Sequence, residues 1–182
     1  WGAEFLRSGL TGFHRLGRLR YAPLPGGDAA ARAPWRTALG YLSLAPEAEP
    51  AFAEAFRGVP PDALETARMQ IRRRVNAPEA SSLGRLFDAA AAVLGVRSVA
   101  AFEGQAPMEL EAVAGRARGR TLPFPAAEGP DGVWVLDPLP LLEALGSARA
   151  GGGDVAELAA CFHESVAEAS SSLAIRLCAA QG

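Results

Sequence analysis

The chain has 182 residues, 49% of them hydrophobic, enough to bury the core of one domain or most of one and too apolar for disorder. A formal net charge of -2, from 18 basic and 20 acidic residues, leaves no electrostatic footprint for wrapping nucleic acid or coating an anionic membrane, so small-molecule or protein partners fit better. No apolar run approaches the roughly 20 residues that cross a bilayer, and Trp1-Gly2-Ala3-Glu4 has neither a basic n-region nor an apolar h-region, so the expected setting is soluble and cytoplasmic.

From Glu4 to Tyr21, Phe5, Leu6, Phe13, Leu16 and Leu19 are interrupted by Ser8-Gly9 and Gly12, a pattern of two short strands joined by a turn. Pro23-Leu24-Pro25-Gly26-Gly27-Asp28 then reads as a hinge, its prolines blocking a strand ladder, before an Ala-rich helix. The Gly pair could cradle an anion on exposed N–H groups, but a tight turn capped by Asp28 is the commoner meaning. Trp35, Ala38, Leu39 and Leu42 recur at helical spacing behind Pro34, a first-turn proline. Two more helices are expected, about Pro50 to Arg57 and Asp62 to Val75. The second ends in Arg72-Arg73-Arg74, a cationic end that complements the helix dipole.

Asn76-Ala77-Pro78 stops that helix, and Ser81-Ser82 starts another that ends near Gly95. A connector from Val96 to Gln105 leads to a helix through about Arg118. Thr121 to Pro125 and Val133 to Leu136 are expected as strands flanking the Gly129-Pro130-Asp131-Gly132 turn. Beyond Pro138 a helix should run to about Leu145. Gly151-Gly152-Gly153 breaks the chain, and Asp154 caps a last helix from Val155 to Cys178.

Several chemistries are excluded by residue type. Every basic residue is Arg, so no Walker-type phosphate lysine, Schiff-base lysine or lysine base exists here. Cys161 and Cys178 lack CxxC spacing and are expected as reduced, buried thiols, not zinc ligands. Cys161 and His163 lie two apart on a helix and point to nearly opposite sides, which rules out a nucleophile-base pair. His14, on a strand, is expected to be structural.

The richest stretch is Ser81-Ser82-Leu83-Gly84-Arg85-Leu86-Phe87-Asp88. Helical spacing puts Ser81, Gly84, Arg85 and Asp88 on one side, with Leu83, Phe87, Ala90 and Leu94 able to face the core. A glycine inside a helix costs about 1 kcal/mol against Ala, so Gly84 wants a reason such as close approach by a ligand or backbone. Asp88 could accept hydrogen bonds from two neighbouring hydroxyls, as in a ribose diol. Spacing alone equally accommodates a surface Asp paired with Arg85.

Residue identity separates these readings. Asn76-Ala77-Pro78 with Ser81 to Asp88, Glu103-Gly104-Gln105-Ala106-Pro107-Met108-Glu109-Leu110-Glu111, the opening Trp1 to Leu6, and Leu24 to Ala30 followed by Pro34-Trp35-Arg36 resemble, in order, the HypF family of carbamoyltransferases. In that family this region resembles the threonylcarbamoyl-transferring TsaD proteins, which implies an α/β, mostly helical fragment of an actin-like, two-lobed ATPase fold with short N-terminal strands. The organisation implied is strands and hinge over 1–28, a helical insertion over 29–80 and a nucleotide-side helical lobe over 81–182. Motif by motif, Gly84 and Asp88 match the first nucleoside-contacting element of those relatives, and Gly104, Gln105 and Glu109 the second. Gln105 stands where TsaD has Gly and agrees with the HypF pattern.

The resemblance further implies a segment of a longer enzyme that uses carbamoyl phosphate and ATP, through carbamoyl adenylate, to carbamoylate the C-terminal cysteine of a HypE-like acceptor in nickel-iron hydrogenase maturation. The divalent metal of the complete enzyme would have its ligands outside this chain. No catalytic nucleophile is assigned to it, and the isolated segment is expected to be inactive. Two other classes compete: a TsaD-like transferase acting on tRNA, disfavoured by the acidic balance and by Gly104-Gln105, and a non-catalytic helical interaction module.

Overall fold

The computed structural model describes residues 2–181, with the side chain of Gln181 also left aside. Among the described residues, two sheets and seven helices make an α/β fold dominated by helix. The N-terminal strands β1 (Glu4–Ser8) and β2 (Phe13–Leu19) pair antiparallel as the sequence predicts, with a register shift between Phe5 and Leu6. β2 also runs parallel to β6 (Trp134–Leu136), which pairs antiparallel with β5 (Ala126–Glu128), giving the order β1-β2-β6-β5. The long crossover from β2 to β6 carries most of the helices.

That crossover begins differently from its prediction. Ala22–Pro23 is a short strand, β3, paired antiparallel with β4 (Glu79–Ala80). A proline ends a ladder only where its missing N–H is needed, and a two-residue edge pairing does not need it. After it comes a single 3-10 turn, Gly27–Ala31, in place of a helix. α1 (Pro34–Leu42) starts on Pro34 as expected. The region 50–57 divides into α2 (Glu49–Phe52) between 3-10 turns at Pro46–Ala48 and Ala53–Phe56. α3 (Pro61–Arg73) ends with Arg74 in a left-handed conformation, and Arg72 to Arg74 are exposed, the solvated end anticipated.

The remaining helices are α4 (Leu83–Val93), α5 (Gln105–Ala114), α6 (Leu139–Ala150) and α7 (Val155–Gln181). Asp154 Oδ1 accepts the Glu157 N–H at 3.0 Å, the predicted cap of α7. Thr121 to Pro125 is not a strand. It crosses α7 instead, with the Leu122 N–H donating to Ser165 Oγ at 2.8 Å, so its backbone is satisfied by a side chain and not by a ladder.

α4 is the central element, contacting α1, α5, α6 and α7. Leu86 and the run Ala89 to Val93 are essentially fully buried, and a helix surrounded by partners is buried on more than one face. Ala90 and Leu94 face the core as expected, but the two-stripe reading fails at Leu83 and Asp88. Leu83 is exposed, Phe87 only partly buried, and Asp88 is buried in their place. Phe87 instead stands edge-on to Phe162 of α7, with ring centroids 4.8 Å apart. One hydrophobic cluster joins residues from Leu19 to Leu177. Cys161 is buried but Cys178 is exposed, and His14 on β2 is also exposed, which leaves it no structural packing role.

Candidate functional site

Two helix entrances, each read from the sequence, define the site. At the first, Ser82 is the N-cap of α4, its Oγ accepting the Arg85 N–H at 3.4 Å. One turn further, Asp88 is 1% exposed, so it is no surface carboxylate. Its partner is nevertheless the one that spacing suggests, since Arg85 Nε approaches Asp88 Oδ2 to 3.0 Å. That contact lacks hydrogen-bond alignment and leaves Oδ2 buried without a donor. Burial pushes the Asp88 carboxyl up to about 6; Arg85 opposes this, and Glu103, on the far side of Arg85 at 3.9 Å, adds to it. A buried acceptor without a donor is costly to an isolated fold and useful to a site that receives one.

Gly84 sits on the exposed side of this entrance. A Cβ built there would meet only Ser82 Oγ, at 3.8 Å, so packing within the chain does not require glycine. The bare backbone leaves room for another group to approach the first turn of α4.

At the second entrance, Gly104 is the N-cap of α5 with φ of 85°, a conformation that suits glycine. Gln105 folds back, its Oε1 accepting the Ala101 N–H at 2.7 Å, while its Nε2 donates to Glu109 Oε1 at 2.8 Å. Arg97 then grips Glu109 with two bonds of 2.7 Å, from Nε to Oε2 and from Nη2 to Oε1. The Arg97 fork, helped by Gln105, holds the Glu109 carboxyl below the usual range. Both Glu109 oxygens are therefore engaged, unlike Asp88 Oδ2.

Between the entrances and the hinge lies a cavity of about 740 Å³, within the range of small-molecule sites, roughly 300–1,000 Å³. It is lined by residues of the hinge, Leu24, Gly27 to Ala29, Ala31 and Arg32, and by Pro78, Arg85 and Ala101 to Glu103. The hinge block and the two helix-entrance blocks thus meet here, around the charged groups Asp28, Arg32, Arg85 and Glu103. None of Gly84, Asp88, Gly104, Gln105 and Glu109 is among the lining residues; Asp88 pairs with the lining Arg85, and Gly104 follows the lining Glu103 in the chain. The structure brings Gly84, Arg85 and Asp88 together and ties Gly104, Gln105 and Glu109 into a separate network beside them.

Sequence reasoning passed over Asp28 and Arg32 on the cavity wall. Pro25-Gly26-Gly27-Asp28 does form a tight turn, with the Gly27 N–H donating to Leu24 O at 2.9 Å, yet Asp28 does not cap it and lines the cavity instead. The signal was available in the Gly pair followed by an acid. Cys161 and His163 stay apart: Cys161 Sγ accepts the Arg120 N–H, and His163 Nδ1 pairs with Ala159 O at 2.7 Å. Among the described residues, no three His, Cys, Asp or Glu side chains group as a metal site, and no helix is long and apolar enough to cross a membrane.

The whole chain, residues 1–182, matches the family described as carbamoyltransferase, Kae1-like domain, second subdomain. It is 38% identical to the carbamoyltransferase HypF2 of Cupriavidus necator, over 93% of this chain and 23% of that protein. To the carbamoyltransferase HypF of Rhodobacter capsulatus it is 38% identical, over 97% of this chain and 22% of the relative. A crystal structure of full-length HypF in its phosphate- and nucleotide-bound form superposes with a TM-score of 0.87 at 32% identity, covering 97% of this chain and 23% of the other. HypF of T. kodakarensis gives a TM-score of 0.73 at 29% identity, over 92% and 23%. The chain thus spans under a quarter of these relatives' length.

Proposed function

The chain belongs to the HypF carbamoyltransferase family, and from that premise we propose that it forms the nucleotide-side part of an actin-like, two-lobed transferase domain. The complete enzyme would use carbamoyl phosphate and ATP, by way of carbamoyl adenylate, to carbamoylate the C-terminal cysteine of a HypE-like acceptor during nickel-iron hydrogenase maturation. In the transfer step the acceptor thiol loses its proton, sulfur bonds to the carbamoyl carbon, and AMP departs with the electrons of the broken C–O bond.

The role of this segment in that step is orientation. It offers no lysine and no Cys-His pair, and holding a reactant in place accounts for a large share of many rate enhancements. The observation that carries the reading is Asp88: a fully buried carboxylate whose Oδ2 lacks a donor, at a helix entrance left bare by Gly84 and beside a cavity of small-molecule size. The vicinal hydroxyls of a ribose would supply two donors to it. The nucleotide-bound state of a full-length HypF with the same fold supports this ligand class.

Titrating an adenine nucleotide into the full-length protein that contains this chain tests the assignment. Asp88→Ala should weaken binding by at least about tenfold, the loss of a charge-assisted bond worth roughly 1.5–3 kcal/mol. Equal binding by wild type, Asp88→Ala and Glu109→Ala would return the chain to the interaction-module class.

A further inference from the structure

We propose that Gly2-Ala3-Glu4 is a latch that positions the entrance of α4, with Glu4 as its positioning residue; this rests on the nucleotide-side reading of that entrance. The latch is a close approach of backbone to backbone. A Cβ at Gly2 would fall 2.5 Å from Ser81 C, Ser82 N and Ser82 Cα, so no larger residue can sit there unless one strand of chain moves. Next to it, the Ala3 N–H donates to Ser81 O at 2.7 Å. Glu4 completes the set: its Oε1 accepts the Ser81 hydroxyl at 2.9 Å, and Ser81 is fully buried.

Glu4 is held in turn. Its side chain is 6% exposed, and Oε2, without a hydrogen-bond partner, faces Arg15 Nη1 at 3.6 Å, whose own Nη1 donates to the Tyr21 hydroxyl at 3.1 Å. A carboxylate buried beside one cation, with a hydroxyl at 2.9 Å and the Gly2 N–H at 3.4 Å on its other oxygen, is an expensive way to hold a serine unless the position of that serine matters. The residues after Ser81 give that position its importance. Ser82 caps α4, its carbonyl accepts the Leu86 N–H at 3.1 Å, Arg85 lies on that first turn and Asp88 on the next. Glu4, 77 residues before Ser81 in the chain, thus sets where the α4 entrance lies relative to β1.

The test uses the full-length protein containing this chain, with a non-hydrolysable ATP analogue as probe and hydrogen exchange of the segment 83–88 as a second readout. Glu4→Ala and Ser81→Ala are expected to speed exchange there and weaken analogue binding by about tenfold, the scale of losing one charge-assisted hydrogen bond at the displaced entrance. Glu4→Gln keeps an acceptor for the Ser81 hydroxyl and should restore both readouts to within about twofold of wild type, a rescue that general loss of packing would not show. Gly2→Ala should reproduce Glu4→Ala if it folds. Unchanged exchange over 83–88 in Glu4→Ala overturns the latch, as does failure of Glu4→Gln to rescue. Asp88→Ala separates the two ideas: if it leaves analogue binding intact, the nucleotide reading fails while exchange still decides the latch.

Discussion

Arg85 and Asp88 face each other across 3.0 Å on the first turns of α4, yet the arginine satisfies the charge of the carboxylate without hydrogen-bonding its buried oxygen. Folding therefore keeps Asp88 protonated to a higher pH than an ordinary carboxyl, up to about 6. The ionised form is the better acceptor for two hydroxyls. Affinity for an adenine nucleotide should accordingly rise from about pH 5 to about pH 7 and level off above, by up to about tenfold per unit below the folded pKa. Calorimetric titration across that range checks the slope, which Asp88→Asn should flatten.

The same shift has a stability consequence of opposite sense. With its folded pKa raised, Asp88 gives the folded chain an extra proton between the ordinary carboxylate range and about 6, so its contribution is present at low pH and fades as pH rises through that window. Relative to Asp88→Asn, the wild type should lose up to about 3 kcal/mol across it, as about 1.4 kcal/mol per unit implies. Urea unfolding at several pH values measures this directly.

Removing the arginine should be worse than removing the pair. Arg85→Ala leaves a buried carboxylate with Glu103 nearby and no counter-charge, so Asp88 should titrate still higher. Because Arg85 retains some solvent contact, the cost at neutral pH is expected at the low end for broken buried pairs, about 3 kcal/mol. The double variant Arg85→Ala with Asp88→Asn should recover part of it.

How far the sequence reaches is visible on this one helix. Ser82 and Gly95 mark the ends of α4 because a cap and a glycine stop are local chemistry. Which face Asp88 occupies was not legible, because periodicity assigns a polar side on the assumption of one packing partner, and α4 has several. The strand placed at Thr121 to Pro125 slipped to Ala126–Glu128 for a related reason: Ser165, 43 residues away from Leu122, takes the backbone donor that a strand would have used. Residue identity pointed to Gly84 and Gly104, which do not line the cavity, whereas Asp28 and Arg32 do line it, brought there from the hinge that follows the β3–β4 pairing.

Ser165 offers a test of that crossing segment. Its hydroxyl accepts from Leu122 and donates to Cys161 O at 2.6 Å, fully buried. Ser165→Ala removes the acceptor and leaves the Leu122 N–H without one, at a cost of about 1–3 kcal/mol. Exchange protection of the Leu122 amide should fall with it. A loss of global stability without loss of protection at that amide would place the role of Ser165 elsewhere.

The two carboxylates of the candidate site should behave unequally. Glu109 is about one-third exposed and already bound by Arg97 and Gln105, so its ion pair is solvent-screened and weak. Arg97 already hydrogen-bonds both Glu109 oxygens, whereas Arg85 covers Asp88 Oδ2 at 3.0 Å without bonding it, so a nucleoside would have to move an arginine at either position but would find an unused acceptor only at Asp88. Glu109→Ala is expected to weaken nucleotide binding by less than about threefold, against the tenfold or greater loss for Asp88→Ala, because only the latter removes an uncommitted acceptor. Should Glu109→Ala prove the more damaging of the two, Arg97 must release it when ligand arrives. Arg97→Ala would then strengthen binding, a result the present geometry does not predict.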